Sequence, residues 1–269
     1  MAQNDLSWFD ASVSQLIDPQ NQRVWSLIVS LFGDLAQRPG DRISGGALTR
    51  ILHPLGLKPE AIRVALHRLR KDGWIDSDRI GRESVHYLTE FGRARSAEVT
   101  PRIYDRDPAV ADHWHLLVAE DGQAVQSLNE LLLTRPYLSL GRNVALGADD
   151  PPAECEDLLV FEVTARAVPS WVQDRLFPTD LREACDSLRQ AAENVSKSRA
   201  GKALTPLQVA TLRTLVVHRW RRVVLRHPDL PEEFSPVGWT GPACRSAVFK
   251  LLDTLPFPGL KALESDRAA

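Results

Sequence analysis

The chain has 269 residues, of which 43% are hydrophobic, so it can bury a sizeable core and form one to three domains. Its formal net charge of −2 excludes a polycation that coats nucleic acid with its whole surface, and any such contact is expected from a local basic patch. The start of the chain lacks a basic, apolar secretory signal, and no later segment approaches the ~20 apolar residues of a membrane span. We therefore expect a globular, cytoplasmic protein.

The cysteines argue against two kinds of scaffold. Cys155, Cys185 and Cys244 are odd in number, far apart and without C-x-x-C spacing. This pattern disfavours both a disulfide framework and a structural zinc site. We expect reduced thiols, no metal and no other cofactor.

Two helices are predicted near the start of the chain. Apolar residues recur at helical spacing from Asn21 to about Gln37, and the turn-forming residues Arg38 to Asp41 end that run. Ser44 is a suitable N-cap for a second helix. That helix is expected to stop at His53, because the residue before Pro54 disfavours helical geometry.

The third predicted helix is basic on one side. The segment KPEAIRVALHRLRKDGWI covers Lys58 to Ile75, and it has no acidic side chain between Ala61 and Lys71. Pro59 suits the first helical position, and Gly73 suits the left-handed conformation that ends a helix. At about 100° per residue, the apolar residues fall on one face of this helix and most basic residues on the other. The apolar face comprises Ile62, Ala65, Leu66 and Leu69.

A hairpin and a further helix follow. Short strands are predicted from Trp74 to Arg79 and from Ser84 to Leu88, joined by a tight connection at Gly81-Arg82. Thr89 begins another helix that runs toward Tyr104. Three helices with a turn between the second and third, followed by a hairpin, are typical of a winged helix-turn-helix domain, here residues 20–104.

In such a domain the basic helix enters the major groove of double-stranded DNA. Arg63, Val64 and His67 are expected to face base edges. The residues expected nearer to phosphates are Arg68, Arg70 and Lys71 on the helix and Arg79 and Arg82 at the hairpin tip. The alternatives are a solvated basic face and a scaffold protein that uses its winged helix for protein contact. The basic hairpin tip favours DNA.

The character of the chain changes after a linker at residues 105–112. Strands are predicted from His113 to Ala119, Tyr137 to Leu146 and Leu158 to Thr164, with a helix from Gln123 to Leu133. This order predicts a small ferredoxin-like α+β domain at residues 112–168, with a surface loop at residues 147–152.

Two features of this domain suggest metal chemistry as an alternative. His113 and His115 face the same side of a strand, but the sequence supplies no evident third ligand. Glu120 or Asp121, at the end of that strand, would hold a metal ion in a nuclease built on such a domain. A polar turn before Gly122 is the simpler interpretation. A metal-dependent nuclease is therefore the alternative function, and the main expectation is a protein that is not an enzyme.

The remainder of the chain is predicted to be helical. Helices are expected from Trp171 to Phe177, from Leu181 to about Val195, from Thr205-Pro206 to Arg226 and from Pro242 to about Leu255. They define a helical C-terminal domain at residues 169–262. The expected fold class is α+β and mainly helical.

Several of these segments resemble one known family. They are SLIVSLFGD (Ser26 to Asp34), AIRVALHRLRKDGWI, YLTEFGRAR and RIYD in the first part, and HRWRRVVLRHPDLPEEFSPVGWTGPA (His218 to Ala243) near the end. In content and order they resemble the PaaX-like regulators, the phenylacetate-degradation repressors. The resemblance implies a homodimeric repressor with the three parts above, released from its operator by an aryl-acyl-CoA thioester such as phenylacetyl-CoA. Glu83 in the hairpin and His227 in the later segment depart from the family pattern.

A two-fold dimer predicts an inverted-repeat operator. For the effector, Arg219, Arg222 and Arg226 are spaced to form one stripe along a helix, and arginine suits the phosphates of coenzyme A. Trp220 or Trp171 would pack on an adenine or aryl group. The alternative is a surface of salt bridges, since Glu232 and Glu233 follow nearby.

Overall fold

The computed structural model describes residues 2–18, 23–108, 113–134, 137–147, 156–199, 203–226 and 230–265. The chain divides into two compact units. Unit 1 comprises residues 1–106, 184–225 and 240–269, and unit 2 comprises residues 107–183 and 226–239. These units cross the predicted domain boundaries, because helices from the last third of the chain pack with the first helices. Cys155, His227 and most of the predicted loop at residues 147–152 lie outside the described residues.

Unit 1 opens with an additional helix that the sequence pattern did not predict, followed by the elements predicted as a winged helix-turn-helix. In chain order they are α1 (Ala2–Leu16), α2 (Val24–Leu35), β1 (Ile43–Ser44), α3 (Gly45–Leu52), a 3-10 turn (His53–Leu55), α4 (Pro59–Lys71), β2 (Ile75–Ile80), β3 (Glu83–Leu88) and α5 (Glu90–Tyr104). The three strands form one antiparallel sheet in the order β1-β3-β2. The predicted hairpin is confirmed, and β1 is an additional edge strand that pairs Ile43 with His86.

The predicted helix limits follow from local chemistry. The Ser44 hydroxyl accepts a hydrogen bond of 3.1 Å from the Ala47 N–H, which caps α3. Gly56 and Gly73 have φ of +76° and +73°, the left-handed region that glycine adopts without a Cβ penalty. Together they set the turn before α4 and the turn after it.

The rest of unit 1 is helical and supplies its centre. Its elements are α8 from Ala184 onward (whole helix Thr179–Ser198), α9 (Pro206–Val224), α10 (Gly241–Asp253) and α11 (Leu260–Ser265). Thr205 and Gln208 form a capping box at the start of α9, as the Thr205-Pro206 pair predicted. Helix α9 is buried along most of its length and packs on α2, where His218 Nδ1 lies 3.1 Å from the Ser30 hydroxyl. The predicted start of this helix is confirmed, whereas its end lies at Val224 and not at Arg226.

Unit 2 is a four-stranded antiparallel sheet with flanking helices. Its elements are β4 (Trp114–Ala119), α6 (Gln123–Thr134), β5 (Leu138–Gly141), β6 (Val144–Gly147), β7 (Leu158–Val163), α7 (Ser170–Leu176), the first turn of α8 and a 3-10 turn (Glu232–Phe234). The strand order is β5-β6-β4-β7. Strand β4, the first of these in the chain, is therefore central, and β7 is an edge strand. The single strand predicted from Tyr137 to Leu146 is wrong, because the chain reverses after Gly141 and forms the hairpin β5-β6.

The structure places hydrophobic residues on both sides of this sheet. Leu117, Leu128 and Tyr137 belong to a cluster under α6. Trp114, Leu146 and Phe234 belong to a second cluster beside α7. Within the described residues of both units, no helix is both long and apolar enough to cross a bilayer.

Candidate nucleic-acid interface

Helix α4 has one face in the core of unit 1 and one face in solvent. Ile62, Ala65, Leu66 and Leu69 are buried, and α4 packs on α2. Burial of this apolar face fixes the helix against its neighbour, so the opposite face is held in a defined orientation. The amphipathic division predicted from the sequence is confirmed.

The side chains predicted to face base edges lie together on the exposed face. Val64 is 70% exposed although it is apolar, and it lies between the exposed Arg63 and His67. Arg63 forms an ion pair of 2.8 Å with Glu60, one turn earlier on the same helix. Because both partners are exposed, this pair contributes little stability, and the guanidinium can exchange it for another partner.

The remaining cationic residues of α4 are also exposed. Arg68 lies 3.5 Å from Asp72 and 5.5 Å from the centre of the Trp25 ring. Arg70 donates a hydrogen bond of 3.1 Å to the Ser77 hydroxyl on β2, and this contact links the helix to the hairpin. Lys71 is exposed at the end of α4.

The hairpin tip combines two cations with an apolar side chain. Gly81 has φ of +63°, and Arg79 Nε donates to the Gly81 carbonyl at 3.3 Å. Arg82 is exposed at this tip. Ile80 is 60% exposed beside it, although it was not predicted to be a functional residue. Its signal was an apolar residue at a turn, where polar residues are usual.

Glu83 turns away from the hairpin tip. Its carboxylate lies beside Gly46 in the first turn of α3, and atoms of the Ser44 and Arg50 side chains lie near the same glycine. A carboxylate at a helix N-terminus is favoured by the helix dipole. The acidic residue that departs from the family pattern therefore interacts with α3, and it leaves Arg79 and Arg82 as the charged residues of the tip.

An ion pair next to the hairpin was not predicted from the sequence. Arg42 forms an ion pair with Asp78, and its guanidinium lies 4.4 Å from the centre of the Tyr87 ring. The hydrogen bond from Arg42 holds the pKa of the Asp78 carboxyl below its usual value, although desolvation opposes the effect. The contact depends on strand β1, which the sequence pattern did not reveal.

His86 is a buried titratable group beneath this surface. It is 6% exposed on β3, and within the described residues its Nδ1 has no hydrogen-bond partner. Burial lowers the pKa of His86 below its ordinary value of 6.5, and the charge of Arg70 lowers it further. The neutral imidazole is therefore the form that fits the folded unit.

The predicted effector stripe is corrected by the burial of α9. Arg219 is 7% exposed. It donates a hydrogen bond of 2.9 Å to the Ser187 hydroxyl and one of 3.4 Å to the Leu16 carbonyl. Trp220 is 2% exposed and donates its indole N–H to the Ile103 carbonyl at 2.8 Å. Burial lowers the pKa of Arg219. These two side chains stabilise unit 1 internally and do not form an exposed stripe.

The other two arginines of that stripe are engaged in separate units. Arg222 pairs with Asp18 at 2.9 Å within unit 1, where both side chains are partly buried. Arg226 pairs with Asp180 at 2.9 Å within unit 2. The structure therefore does not present the three arginines as one continuous row on α9.

The residues considered for metal chemistry do not form a ligand set among the described residues. His113 contacts the Glu162 carboxylate at the surface. Asp121 accepts a hydrogen bond of 2.9 Å from Asn143, in a turn that also exposes Glu120. No group of three or more His, Cys, Asp or Glu side chains is arranged to hold a metal ion in the part of the chain that the structure describes.

Comparisons with known proteins match both ends of the chain. The family model described as PaaX-like protein matches residues 23–92, and the model described as PaaX-like protein C-terminal domain matches residues 179–264. The transcriptional repressor PaaX of Escherichia coli (strain K12) is 30% identical over 250 residues, which cover 82% of this chain and 76% of that protein. A solved structure, the uncharacterized protein Rv0674 from Mycobacterium tuberculosis, is 19% identical and covers 90% of this chain and 98% of its own, with a TM-score of 0.48.

Proposed function

This chain belongs to the PaaX-like family of transcription regulators, and from that membership we propose that it is a repressor that binds operator DNA through a winged helix-turn-helix formed by α2 to α5. The proposed target is an operon for the catabolism of an aromatic acid of the phenylacetate type. The proposed signal for release is an aryl-acyl-CoA. As a DNA-binding protein, the repressor is expected to act in the cytoplasm.

The exposed cationic face of α4 is the observation that carries this proposal. Arg63, Val64 and His67 project from a helix whose other face is buried, so they can enter a major groove together. Arginine is suited to the O6 and N7 acceptors of guanine, and an exposed valine is suited to the methyl group of thymine. The proposal accounts for the 70% exposure of the apolar Val64 side chain, which would contact a thymine methyl group in the groove.

The surrounding cations are proposed to bind phosphates. Arg68, Arg70 and Lys71 lie toward the end of α4, while Arg79 and Arg82 lie at the hairpin tip. Neutralising phosphates releases bound counterions, so affinity falls as salt rises. For ~6–10 contacts per dimer, we expect affinity to fall by ~10³–10⁵ between 50 and 200 mM salt.

A homodimer on an inverted repeat is part of the proposal. The edge strand β7 supports it, because Leu159 is 55% exposed and Phe161 is 48% exposed on one face of that strand. Two copies of an edge strand can pair antiparallel about a two-fold axis, which covers both rows of backbone groups and the apolar side chains. Unit 2 is proposed to be a ferredoxin-like domain and to serve as the dimerisation domain.

The test is DNA binding by Arg63→Ala and by a matched control. The control is Arg95→Ala, an exposed arginine on α5 that also pairs with a glutamate three residues away, Glu98 at 3.2 Å. A preferred duplex is selected from a random pool, and fluorescence anisotropy measures binding to it and to a scrambled duplex. We expect Arg63→Ala to cost about 1–3 kcal/mol on the preferred duplex only, as for a lost bidentate contact to guanine.

Equal losses on both duplexes would remove Arg63 from base recognition. An absence of duplex binding at low salt by the wild-type protein would refute the proposed function itself and favour the scaffold alternative. Cleavage of nucleic acid that requires added Mg²⁺ or Mn²⁺ would favour the nuclease alternative.

A further inference from the structure

Unit 2 contains an apolar cavity that no part of the DNA-binding proposal uses. Its volume is about 290 Å³, close to the ~300–1,000 Å³ typical of small-molecule sites. Its lining includes Trp114 and Leu116 of β4, Leu146 of β6, Val172 of α7 and Phe234. The cavity is therefore built from several separate stretches of unit 2 and lies in its second hydrophobic cluster.

The chemistry of this cavity suits a flat, uncharged group. The Trp114 and Phe234 rings lie with centroids 6.2 Å apart and planes inclined by 32°. Aromatic walls with such offset geometry favour a further ring in the cavity. Glu233 also lines it, so a carboxylate at the inner end of a ligand would meet both apolar walls and a like charge.

A second cavity beside the first one carries positive charge. It has a volume of about 400 Å³, and its lining includes Ser139 and the arginines Arg175 and Arg226. The two cavities share elements: Val172 and Arg175 lie one turn apart on α7, and Arg175 donates to the carbonyl of Leu140, which lines the apolar cavity. An apolar chamber thus adjoins a cationic one across β5 and α7.

We propose that these two cavities form one effector site, in which the acyl group of an aryl-acyl-CoA packs in the apolar cavity against Trp114 and Phe234 while its phosphates bind Arg175 and Arg226. The inference rests on the proposed function for the class of ligand, and the structure supplies the location. Arg175 donates to the Leu140 carbonyl and lies 6.0 Å from the centre of the Trp171 ring, while Arg226 pairs with Asp180. A guanidinium has five N–H donors, so both arginines keep donors for phosphate oxygens. Phosphates therefore add to these contacts or exchange with the exposed Asp180.

The proposed site should bind ligands that share the same aryl group with different affinities, because their charges lie in different places. In phenylacetyl-CoA the carboxyl is a neutral thioester and the negative charge lies on the distant phosphates. Free phenylacetate would bring its carboxylate into the apolar cavity beside Glu233. We expect phenylacetyl-CoA to bind far more tightly than phenylacetate, and coenzyme A alone to bind weakly through the arginines.

The experiment measures binding of phenylacetyl-CoA, coenzyme A and phenylacetate to the full-length protein by calorimetry. Ala165→Trp fills the apolar cavity, and Ala167→Trp does so from its exposed rim if the first variant folds poorly. The matched control is Val237→Trp, which adds the same side chain at a fully exposed position of the same unit. Arg226→Gln tests the cationic cavity, and Arg182→Gln, which removes an arginine paired with Asp174 outside both cavities, is its control.

We expect the cavity-filling variants to weaken phenylacetyl-CoA binding about tenfold or more and to leave ligand-free DNA binding unchanged. We expect Arg226→Gln to weaken phenylacetyl-CoA and coenzyme A by a similar factor of about tenfold or more, as for lost hydrogen bonds to a charged group. Equal affinities in Ala167→Trp and Val237→Trp, or no binding of phenylacetyl-CoA to the wild type, would overturn the site. Neither result would affect the DNA-binding proposal, which fails only if the wild type binds no duplex.

Discussion

Glu264 on α11 accepts two hydrogen bonds from Ser44, the residue that caps α3. One comes from the Ser44 backbone N–H at 2.8 Å, and the other comes from its hydroxyl at 2.6 Å. Since the same hydroxyl accepts the Ala47 N–H, it lies between the carboxylate and the helix. Arg50 adds a hydrogen bond of 3.0 Å from α3 to the Leu263 carbonyl. The last described helix therefore stabilises the start of α3.

We predict that Ser44→Ala destabilises unit 1 by about 0.5–2 kcal/mol, because it removes the N-cap of α3. Chemical unfolding followed by circular dichroism measures this change. The variant Thr205→Ala removes a comparable cap at the start of α9 and is the control for the effect of capping alone. A loss for Ser44→Ala no larger than for an exposed serine such as Ser14 would show that the cap contributes no stability.

We predict that Glu264→Gln destabilises unit 1 by about 1 kcal/mol, because a neutral amide accepts the Ser44 bonds more weakly than a carboxylate. In a Ser44→Gly background, Glu264→Gln should cost less stability than in the wild type. The hydroxyl bond is then already missing, and only the bond from the backbone N–H remains to be weakened. Glu98→Gln on α5, which changes an exposed glutamate, is the matched control. Equal stabilities for both variants would contradict the proposed contribution of α11.

A buried network joins α2, α5 and α9. Arg213 donates two hydrogen bonds to Asp34, at 2.8 and 2.7 Å, and a third of 2.7 Å to the Leu255 carbonyl. Tyr104 donates a hydrogen bond of 2.6 Å to the same carboxylate, and burial raises the pKa of the Tyr104 hydroxyl. The side chain of Asp34 is 1% exposed, so water cannot replace a lost partner.

We predict that Asp34→Ala destabilises unit 1 by about 3–5 kcal/mol, because it leaves the Arg213 charge buried without its carboxylate. The double variant Asp34→Leu with Arg213→Met should lose much less unfolding free energy than Asp34→Leu and Arg213→Met lose in total as single variants. A double-mutant cycle of unfolding free energies measures this coupling. The exposed pair Arg95–Glu98 is the control, for which the coupling should be about 0–1 kcal/mol. Strict additivity at Asp34 and Arg213 would contradict the network.

The burial of His86 predicts a dependence of stability on pH. Its pKa in the folded protein is lowered from 6.5, so the unfolded chain binds the proton more readily. The stability from the neutral imidazole is fully present above about pH 6.5, and it is lost as the pH falls toward the lowered folded pKa. We predict that His86→Gln reduces this loss between pH 7 and pH 5, measured as unfolding free energy against pH. His53→Gln, at an exposed position, is the control, and identical pH profiles for wild type and His86→Gln would contradict the prediction.

The sequence predicted well the local structure of the candidate interface. Helix α4 follows from Pro59, Gly73 and the spacing of its four buried apolar residues, all of which act within a few residues of one another. Its exposed basic face follows from the same spacing. Such features are encoded by short-range sterics and periodicity, which a single sequence contains.

The features that the sequence did not predict depend on distant pairing. Strand β1 has two residues and forms only because β3 offers a partner, and the contact of Ser44 with Glu264 joins residues at opposite ends of the chain. The wrong prediction that Arg219 and Trp220 are exposed effector residues could have been avoided from the sequence. Helix α9 carries apolar residues on all sides, which is typical of a buried helix, so its arginines could have been expected inside.

The edge strand β7 gives a test of the proposed dimer. Phe161 is 48% exposed there, and a charge at this position would be buried against its own copy if two β7 strands pair. We predict that Phe161→Glu converts the protein to a monomer, measured by light scattering after size-exclusion chromatography. Because each half-site then binds alone, affinity for an inverted repeat should fall to that for a single half-site. The control is Val237→Glu, at a fully exposed position of unit 2, which should leave both properties unchanged. A Phe161→Glu protein that stays dimeric would show that the two copies associate through another surface.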